Sequence, residues 1–547
     1  MLYLSTILLS VFITVSLIPM MIRLADKYQM VDFPSPRKVH VRPVPRIGGL
    51  AMAVGVFIPI VLWALADEFV RAFMAAASIL VVFGFIDDMK GLDYKTKFGG
   101  QILAALVIIF YGGLRINSLG SLLPGEMQLT EWLKIALSLV AIVGVTNAVN
   151  LADGLDGLAG GISLLSFCCI GYLAYLNGSY TVLLITVSVT GAIFGFLRFN
   201  THPASLFMGD TGSQLLGFTA VVLAVKTTQG NTPLSPVLPL IILGLPVLDT
   251  LTVMVQRISQ GRSPFSPDKC HFHHRLIKFG LSHSEAVFVI YVIQALMILS
   301  AIFFKYHSDW LLVGGYSAFS LVMVSLFAAA DRKTLRLPRF PEMKNAVKAW
   351  FRKIRESYIV IRVSFNVSKL AIPLLFFVSC FIPARIPTYV SITALCFGAL
   401  ILGVFLAGKK YLGACLRLVL YLMIPLVLYC IEEGRLPWMN EQALFFYRLC
   451  FGIITLFIIF TVKFSRRSKG FRMSTMDFLI IFIAVIVPNL TGQLVRHFNL
   501  GQLAVEIIVF FFGYEVLINE LREKFDVLAT VTLVSIVILG VRGYMGI

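Results

Sequence analysis

Apolar runs of roughly 15–22 residues, separated by short polar breaks, recur from one end of the chain to the other, and runs of that length are long enough, or nearly so, to cross a bilayer as helices. Residues 2–22, 72–86, 135–149, 237–255 (with one Asp inside) and 310–330 are examples, and about 18 such runs meet the length criterion. The pattern predicts an all-α fold, a polytopic bundle of transmembrane helices. The first run has no basic leader and no small-x-small cleavage site, so it is expected to be a retained span and not a signal peptide.

Charge changes that picture in one respect. The chain has 547 residues, of which 58% are hydrophobic, and its formal net charge is +18. A basic balance suggests nucleic acid, but the basic clusters alternate with short neutral or acidic loops. They fall at 37–46, 90–97, 257–278, 332–369, 409–417 and 463–472, with loops such as 177–180, 227–235 and 431–442 between them. That alternation is the positive-inside pattern, which places the basic loops in the cytoplasm and makes no use of nucleic acid. The eight Cys lie mostly within apolar runs and form no CxxC pair, so neither a disulfide framework nor a Cys zinc site is expected.

Three regions follow. Residues 1–330 hold about 11 spans and nearly every polar motif. Residues 331–369 form a basic connector carrying Pro338 and Pro341; its later part reads either as an amphipathic helix on anionic lipid or as a solvated linker. Residues 370–547 add about seven further spans without a catalytic motif. Glu506 and Glu515 lie in or beside one of them, as interface residues or as a site that handles a lipid-linked product or docks a later enzyme.

Five polar clusters interrupt the first region, all on the basic, cytoplasmic side. In "DFPSPRKVHVRPVPRIGG" the Pro and Gly make a loop, and Arg37, Lys38, Arg42 and Arg46 can hold phosphate. In "GFIDDMKGLDYKTK" Asp87 and Asp88 follow an apolar run directly; adjacent carboxylates repel, and a divalent cation or a nearby Lys relieves this. In "NAVNLADGLDGLAGG" Asn147, Asn150 and Asp153 recur at steps of three, which places them along one helix face, with Asp156 serving either a ligand or the loop itself. In "FNTHPASLFMGDTGS" Asp210 sits where a helix starts, either as its cap or as a ligand, beside backbone N–H groups that suit an anion. In "RSPFSPDKCHFHHRLIKFG" His271, His273 and His274 with Arg262, Lys269 and Arg275 make a donor-rich loop suited to phosphate or sugar; HxHH lacks the separated second pair of a zinc site. Hard oxygen donors together with phosphate-binding groups fit Mg²⁺-assisted phosphoryl transfer on a membrane-embedded substrate.

Taken together, "DFPSPRKVH", "DDMKGL", "NAVNLADGLDGLAGG", "FMGDTGS" and "HFHH" resemble, in order, the motifs of the polyprenyl-phosphate N-acetylhexosamine-1-phosphate transferases, over residues 1–330. The resemblance implies transfer of a sugar 1-phosphate from a UDP-N-acetylhexosamine to undecaprenyl phosphate with release of UMP, at a bacterial cytoplasmic (inner) membrane and with the active site facing the cytoplasm. UDP-GlcNAc is the donor implied first, because "SPFSPDKCHFHHRL" resembles the GlcNAc-type enzymes; a deoxy or epimeric sugar, or UDP-MurNAc-pentapeptide, is the alternative. By motif position Asp210 and Asn150 match Mg²⁺ ligands (Mn²⁺ being the substitute), and Asp87 and Asp88 the carboxylate pair. Asn147, Asp153, Asn200 and Phe207 match the nucleotide pocket, and Lys97 with the His loop the diphosphate and sugar. Where some members carry DDxxD the fifth position here is Gly91, so a third carboxylate is absent or moved to Asp93. Membrane lipids, a second copy of the chain or downstream glycosyltransferases are the expected partners. A lipid or solute transporter whose Asp and His line a path is the reading from another class.

Overall fold

In the computed structural model, residues 2–27, 30–32, 43–124, 129–230, 232–263, 270–332, 358–408, 411–464, 500–521 and 525–546 are described. They are mostly helical; β structure among them is a short antiparallel pair, β1 (Val31–Asp32) and β2 (Val44–Pro45), and an isolated bridge between Pro383 and Arg435. Eleven of the described helices are long and apolar enough to cross a membrane, and Gly48–Ala64 and Val363–Ser379 are shorter apolar helices. The chain is a multi-pass membrane protein.

The chain divides into two compact units. The first contains α1 (Leu2–Lys27), α2 (Gly48–Ala64), α3 (Glu68–Lys90), α4 (Tyr94–Phe110), α5 (Glu131–Ala152), α6 (Leu158–Leu176) and α7 (Tyr180–Asn200). It continues through α8 (Gly209–Thr228), α9 (Leu238–Ile242), α10 (Gly244–Ser259), α11 (Phe272–Lys278), α12 (His283–Phe303) and α13 (Asp309–Arg332). The starts are chemically marked. The Asp67 carboxylate accepts the Val70 N–H at the head of α3, and Ser282 with Glu285 forms a capping box at the head of α12. Helix α8 is the axis: nearly all of it is buried, and α2, α3, α5, α6 and α7 pack around it.

The run 237–255, read above as one span, is broken between α9 and α10 at Leu243. Pro239, Gly244 and Pro246 interrupt the backbone ladder, and the freed carbonyls find side chains. Gln294 Nε2 donates to the Ile242 carbonyl at 2.9 Å, Ser166 Oγ to the same oxygen at 3.2 Å, and Tyr316 Oη to the Gly244 carbonyl at 2.9 Å.

In the second unit, helices Tyr358–Ser379, Thr388–Leu406, Leu412–Glu433, Glu441–Phe464, Leu500–Leu521 and Asp526–Met545 enclose a core in which Phe376, Phe510 and Tyr514 are fully buried. The end of the expected 331–369 connector is thus already helix from Tyr358, while 333–357 lies outside the described residues. Both Glu have charged partners. Glu515 accepts from Arg417 Nε at 3.1 Å and Tyr421 Oη at 2.8 Å, and Glu506 lies 3.7 Å from Arg448, which also holds Glu432.

Candidate active site

Helix α8 starts at Gly209, where a positive φ of +69° turns the chain into the helix; a Cβ there would also strike the Asp88 carboxylate. That carboxylate reaches over from the end of α3. Its Oδ1 accepts the Asp210 N–H at 2.8 Å, and its Oδ2 accepts the Thr211 N–H at 3.0 Å and the Thr211 hydroxyl at 2.6 Å. The first donors of α8, free by helix geometry and expected to face a ligand, are therefore taken by a protein anion. Asp88 positions Asp210 through its backbone, and the neighbouring Asp87 approaches the Asp210 side chain.

Asp87 accepts the Leu92 N–H at 2.7 Å and forms an ion pair with Lys97 Nζ at 2.5 Å. Lys97, one turn into α4, also lies 3.2 Å from Asp210 Oδ2. One ammonium thus bridges two carboxylates from different helices and relieves the repulsion between them, whereas the adjacent pair expected to share a cation, Asp87 and Asp88, is split: Asp88 is held by donors of α8 instead. Asn150, near the end of α5, is a hydrogen-bonding neighbour of Asp210, and its carbonyl oxygen accepts from Ser213 Oγ at 3.2 Å.

This cluster opens on a cavity of about 960 Å³ whose wall includes Asp88, Asn150, Asp153, Asp156, Asn200, Phe207, Asp210, His274 and Arg46. Asn147 is not in that wall. Helix α5 ends at Ala152, and Asp153 leaves it with ψ of 54°, so the three-residue stripe is cut before its last member. Burial, with the charges of Asp210 and Asp88 adding to it, pushes the Asp153 carboxyl up to about 7.

Asn200 lies in the wall but spends its amide on backbone: it accepts the Gly157 N–H at 2.9 Å and donates to the Leu206 carbonyl at 2.8 Å, tying two loops together. Asp156 accepts from His202 Nδ1 at 2.7 Å and from the Ala204 N–H at 3.1 Å. Arg46 is held by Asp32 at 2.6 Å across the β1–β2 pair; Arg37, Lys38, Arg42 and Lys269 lie outside the described residues.

The His loop is anchored by a residue that sequence reasoning passed over. Asp249, the single Asp of the run broken above, accepts from His271 Nδ1 at 2.9 Å and from the Phe272 N–H at 2.8 Å. A lone carboxylate inside an apolar run was the available signal. His273 is buried, and burial plus the adjacent imidazoles of His274, His271 and His283 pushes it well below the usual histidine range, so it is neutral at pH 7. Only His274 of the three reaches the cavity wall. Arg275, expected to bind substrate, is buried instead: its guanidinium donates to the Cys270 carbonyl at 2.7 Å and to Gln256 at 2.5 Å and lies over Phe327. Arg262 is exposed and outside the wall. Asp93 caps α4 locally, accepting from Thr96 Oγ1, and is likewise not in the wall.

Residues 70–228 match the family model for glycosyl transferase family 4. Over 295 residues the chain is 39% identical to a probable undecaprenyl-phosphate N-acetylglucosaminyl 1-phosphate transferase of Bacillus subtilis (strain 168), covering 54% of this chain and 82% of that one. Over 320 residues it is 38% identical to a decaprenyl-phosphate N-acetylglucosaminephosphotransferase of Mycobacterium leprae (strain TN), covering 52% and 79%. Over 348 residues it is 30% identical to the undecaprenyl-phosphate alpha-N-acetylglucosaminyl 1-phosphate transferase of Escherichia coli O157:H7, covering 61% and 93%. The matched segment runs from the first turn of α3 to the end of α8 and holds Asp87, Lys97, Asn150 and Asp210, so motif, site and relatives agree: the chain belongs to glycosyl transferase family 4.

Proposed function

We propose that residues 1–330 transfer N-acetylglucosamine 1-phosphate from UDP-GlcNAc to undecaprenyl phosphate at the cytoplasmic face of a bacterial inner membrane. An oxygen of the lipid phosphate attacks the β-phosphorus, the bond from that phosphorus to the bridging oxygen breaks, and UMP leaves with it. The observation that carries this reading is Asp210 beside Asn150 in the wall of one large cavity, with the Lys97 ammonium bridging Asp210 to Asp87 behind that wall. The relatives named above act on a polyprenyl phosphate and N-acetylglucosamine phosphate by name. A transporter is not favoured: the polar groups gather at helix ends around that cavity, and the named relatives are transferases.

A phosphate monoester has a second pKa of about 6, so the nucleophile is mostly dianionic at neutral pH and needs placement and charge neutralisation more than a strong base. Lys97 supplies fixed positive charge, and the buried Asp87 carboxylate holds that ammonium next to Asp210. Asp210 and Asn150 offer the hard oxygen donors that suit Mg²⁺, or Mn²⁺ in its place, and such an ion when bound draws charge off the diphosphate. His274 and Arg46 extend the cavity wall with donors for phosphate or sugar. Purified protein with Mg²⁺, undecaprenyl phosphate and a panel of UDP-sugars tests the reading: UMP release with UDP-GlcNAc is expected, and none with any donor would overturn it.

Two further outcomes follow. The Asp153 carboxyl, pushed up to about 7, is half protonated at neutral pH. Protonated, it donates a hydrogen bond; ionised, it adds a negative charge beside a diphosphate site. The donor KM is expected to rise from about pH 6 to about pH 8, and Asp153→Asn, which stays neutral, to flatten that rise. Removing Asp249 leaves a buried imidazole and a buried N–H unpaired, at about 1–3 kcal/mol each. Asp249→Ala is expected to lower kcat about ten- to a hundredfold and to melt earlier; Asp249→Asn, which keeps an acceptor for Phe272, should lose less by both measurements.

A further inference from the structure

Away from the Lys97 cluster, the cavity wall holds a second set of donors. Asp156 comes from the loop before α6, His202 from the loop after α7, and His283 is the first residue of α12. One donor atom from each lies within 4.8 Å of the others. His202 Nδ1 is 2.7 Å from Asp156 Oδ2, His283 Nε2 is 3.9 Å from the same oxygen, and the two rings stack with centroids 4.1 Å apart.

His283 is the informative member. Its side chain is only 9% exposed, yet neither ring nitrogen has a hydrogen-bond partner. A buried imidazole normally satisfies at least one nitrogen. Stacking against a second imidazole also disfavours protonating both rings, because two like charges would then be in contact. A metal cation is what accepts lone pairs from two imidazoles and a carboxylate at once, and it would take the place of the His202 Nδ1–Asp156 hydrogen bond.

We propose that Asp156, His202 and His283 bind a divalent transition metal of the zinc class. The set differs in kind from Asp210 and Asn150: two nitrogens and one carboxylate suit Zn²⁺, Co²⁺ or Ni²⁺, whereas all-oxygen donors suit Mg²⁺. Three protein ligands leave a coordination position open, as in zinc sites that receive an exchangeable group. The ligands come from three separate segments, so the ion ties the loop before α6 and the loop after α7 to the head of α12. Those segments form much of one cavity wall, and metal occupancy would stiffen it.

The test uses the full-length protein, purified in detergent, stripped with a chelator and titrated with Co²⁺, without donor or lipid. A visible d–d band saturating at one Co²⁺ per chain is expected, displaced by Zn²⁺ and indifferent to excess Mg²⁺. His202→Ala and His283→Gln should each weaken that binding by more than about a hundredfold, since even outer-sphere partners of a metal site are worth about ten- to a hundredfold. Asp210→Asn should leave it in place. Far-ultraviolet circular dichroism and thermal melting show that each variant is folded, and His283→Gln keeps the volume and polarity should an Ala variant fail. Absence of the band, its survival in both His variants, or its loss in Asp210→Asn would overturn the proposal. None of these outcomes touches the transfer reaction, whose own assay fails or succeeds separately.

Discussion

Asp210→Ala is expected to lower UMP release at least about a thousandfold, and the residual activity should no longer respond to added Mg²⁺. The expectation rests on what each carboxylate of the cluster has left to give. Asp88 has both oxygens on the α8 backbone and on Thr211. The Asp87 side chain is 2% exposed and is bound to Lys97 and the Leu92 N–H. The Asp210 side chain is 24% exposed, faces the cavity and has Asn150 beside it. It is the group with free valence toward a ligand. Lys97→Met sets Asp87 against Asp210 without the intervening ammonium, and raised Mg²⁺ should recover part of that loss because a divalent cation replaces the missing positive charge. Asp88→Ala should also cost activity, through displacement of Asp210, but its dependence on Mg²⁺ should persist. Initial rates across a Mg²⁺ titration separate the three. UMP release that persisted in Asp210→Ala with metal still required would sink this assignment.

Much of this site was legible because polar groups are conspicuous in an apolar chain. Asp87, Asn150 and Asp210 interrupt or end runs that would otherwise cross the bilayer, and ionisable groups there need a partner or a task. The helical class followed from the same hydropathy. What spacing does not convey is whether a polar side chain spends its hydrogen bonds on ligand or on protein. Asn200, Arg275 and Asp88 lie in motifs of the right kind, yet each has backbone or side-chain partners that account for its donors or acceptors. Period arguments also assume that the helix continues: the stripe through Asn147, Asn150 and Asp153 fails because α5 stops at Ala152. Asp249, His202 and His283 were missed for the opposite reason. Asp249 and His283 stand apart from the dense motifs, His202 lies in one beside more conspicuous groups, and only tertiary contact, about 20 residues away for Asp249 and His271, gives them meaning.

Gly49→Ala is expected to be as damaging as losing a functional side chain, although residue 49 has none. At the head of α2, the Gly48 and Gly49 N–H groups donate to the Phe207 and Met208 carbonyls at 2.9 and 2.8 Å. A Cβ on Gly49 would lie 2.6 Å from the Gly212 Cα and 2.6 Å from the Met208 carbonyl oxygen, and closer still to the Gly212 nitrogen. These are backbone atoms, so no side chain can rotate away. On the other side, a Cβ on Gly84 of α3 would lie 2.6 Å from the Thr211 Cα. The first turn of α8 is therefore wedged between two glycines, the close approach that small residues permit between helices. That wedge sets where Asp210 stands relative to Asp88 and Lys97. Overpacking at such a contact costs about 1–3 kcal/mol, and a shift of about 1 Å in a positioned group can cost about a hundredfold in rate. Gly49→Ala should thus lower kcat about a hundredfold or more and depress the melting temperature. Gly99→Ala, where a Cβ meets nothing within 4 Å, should leave both unchanged. If Gly49→Ala kept wild-type turnover and melting, backbone contact between α2 and α8 would not be what holds Asp210 in place.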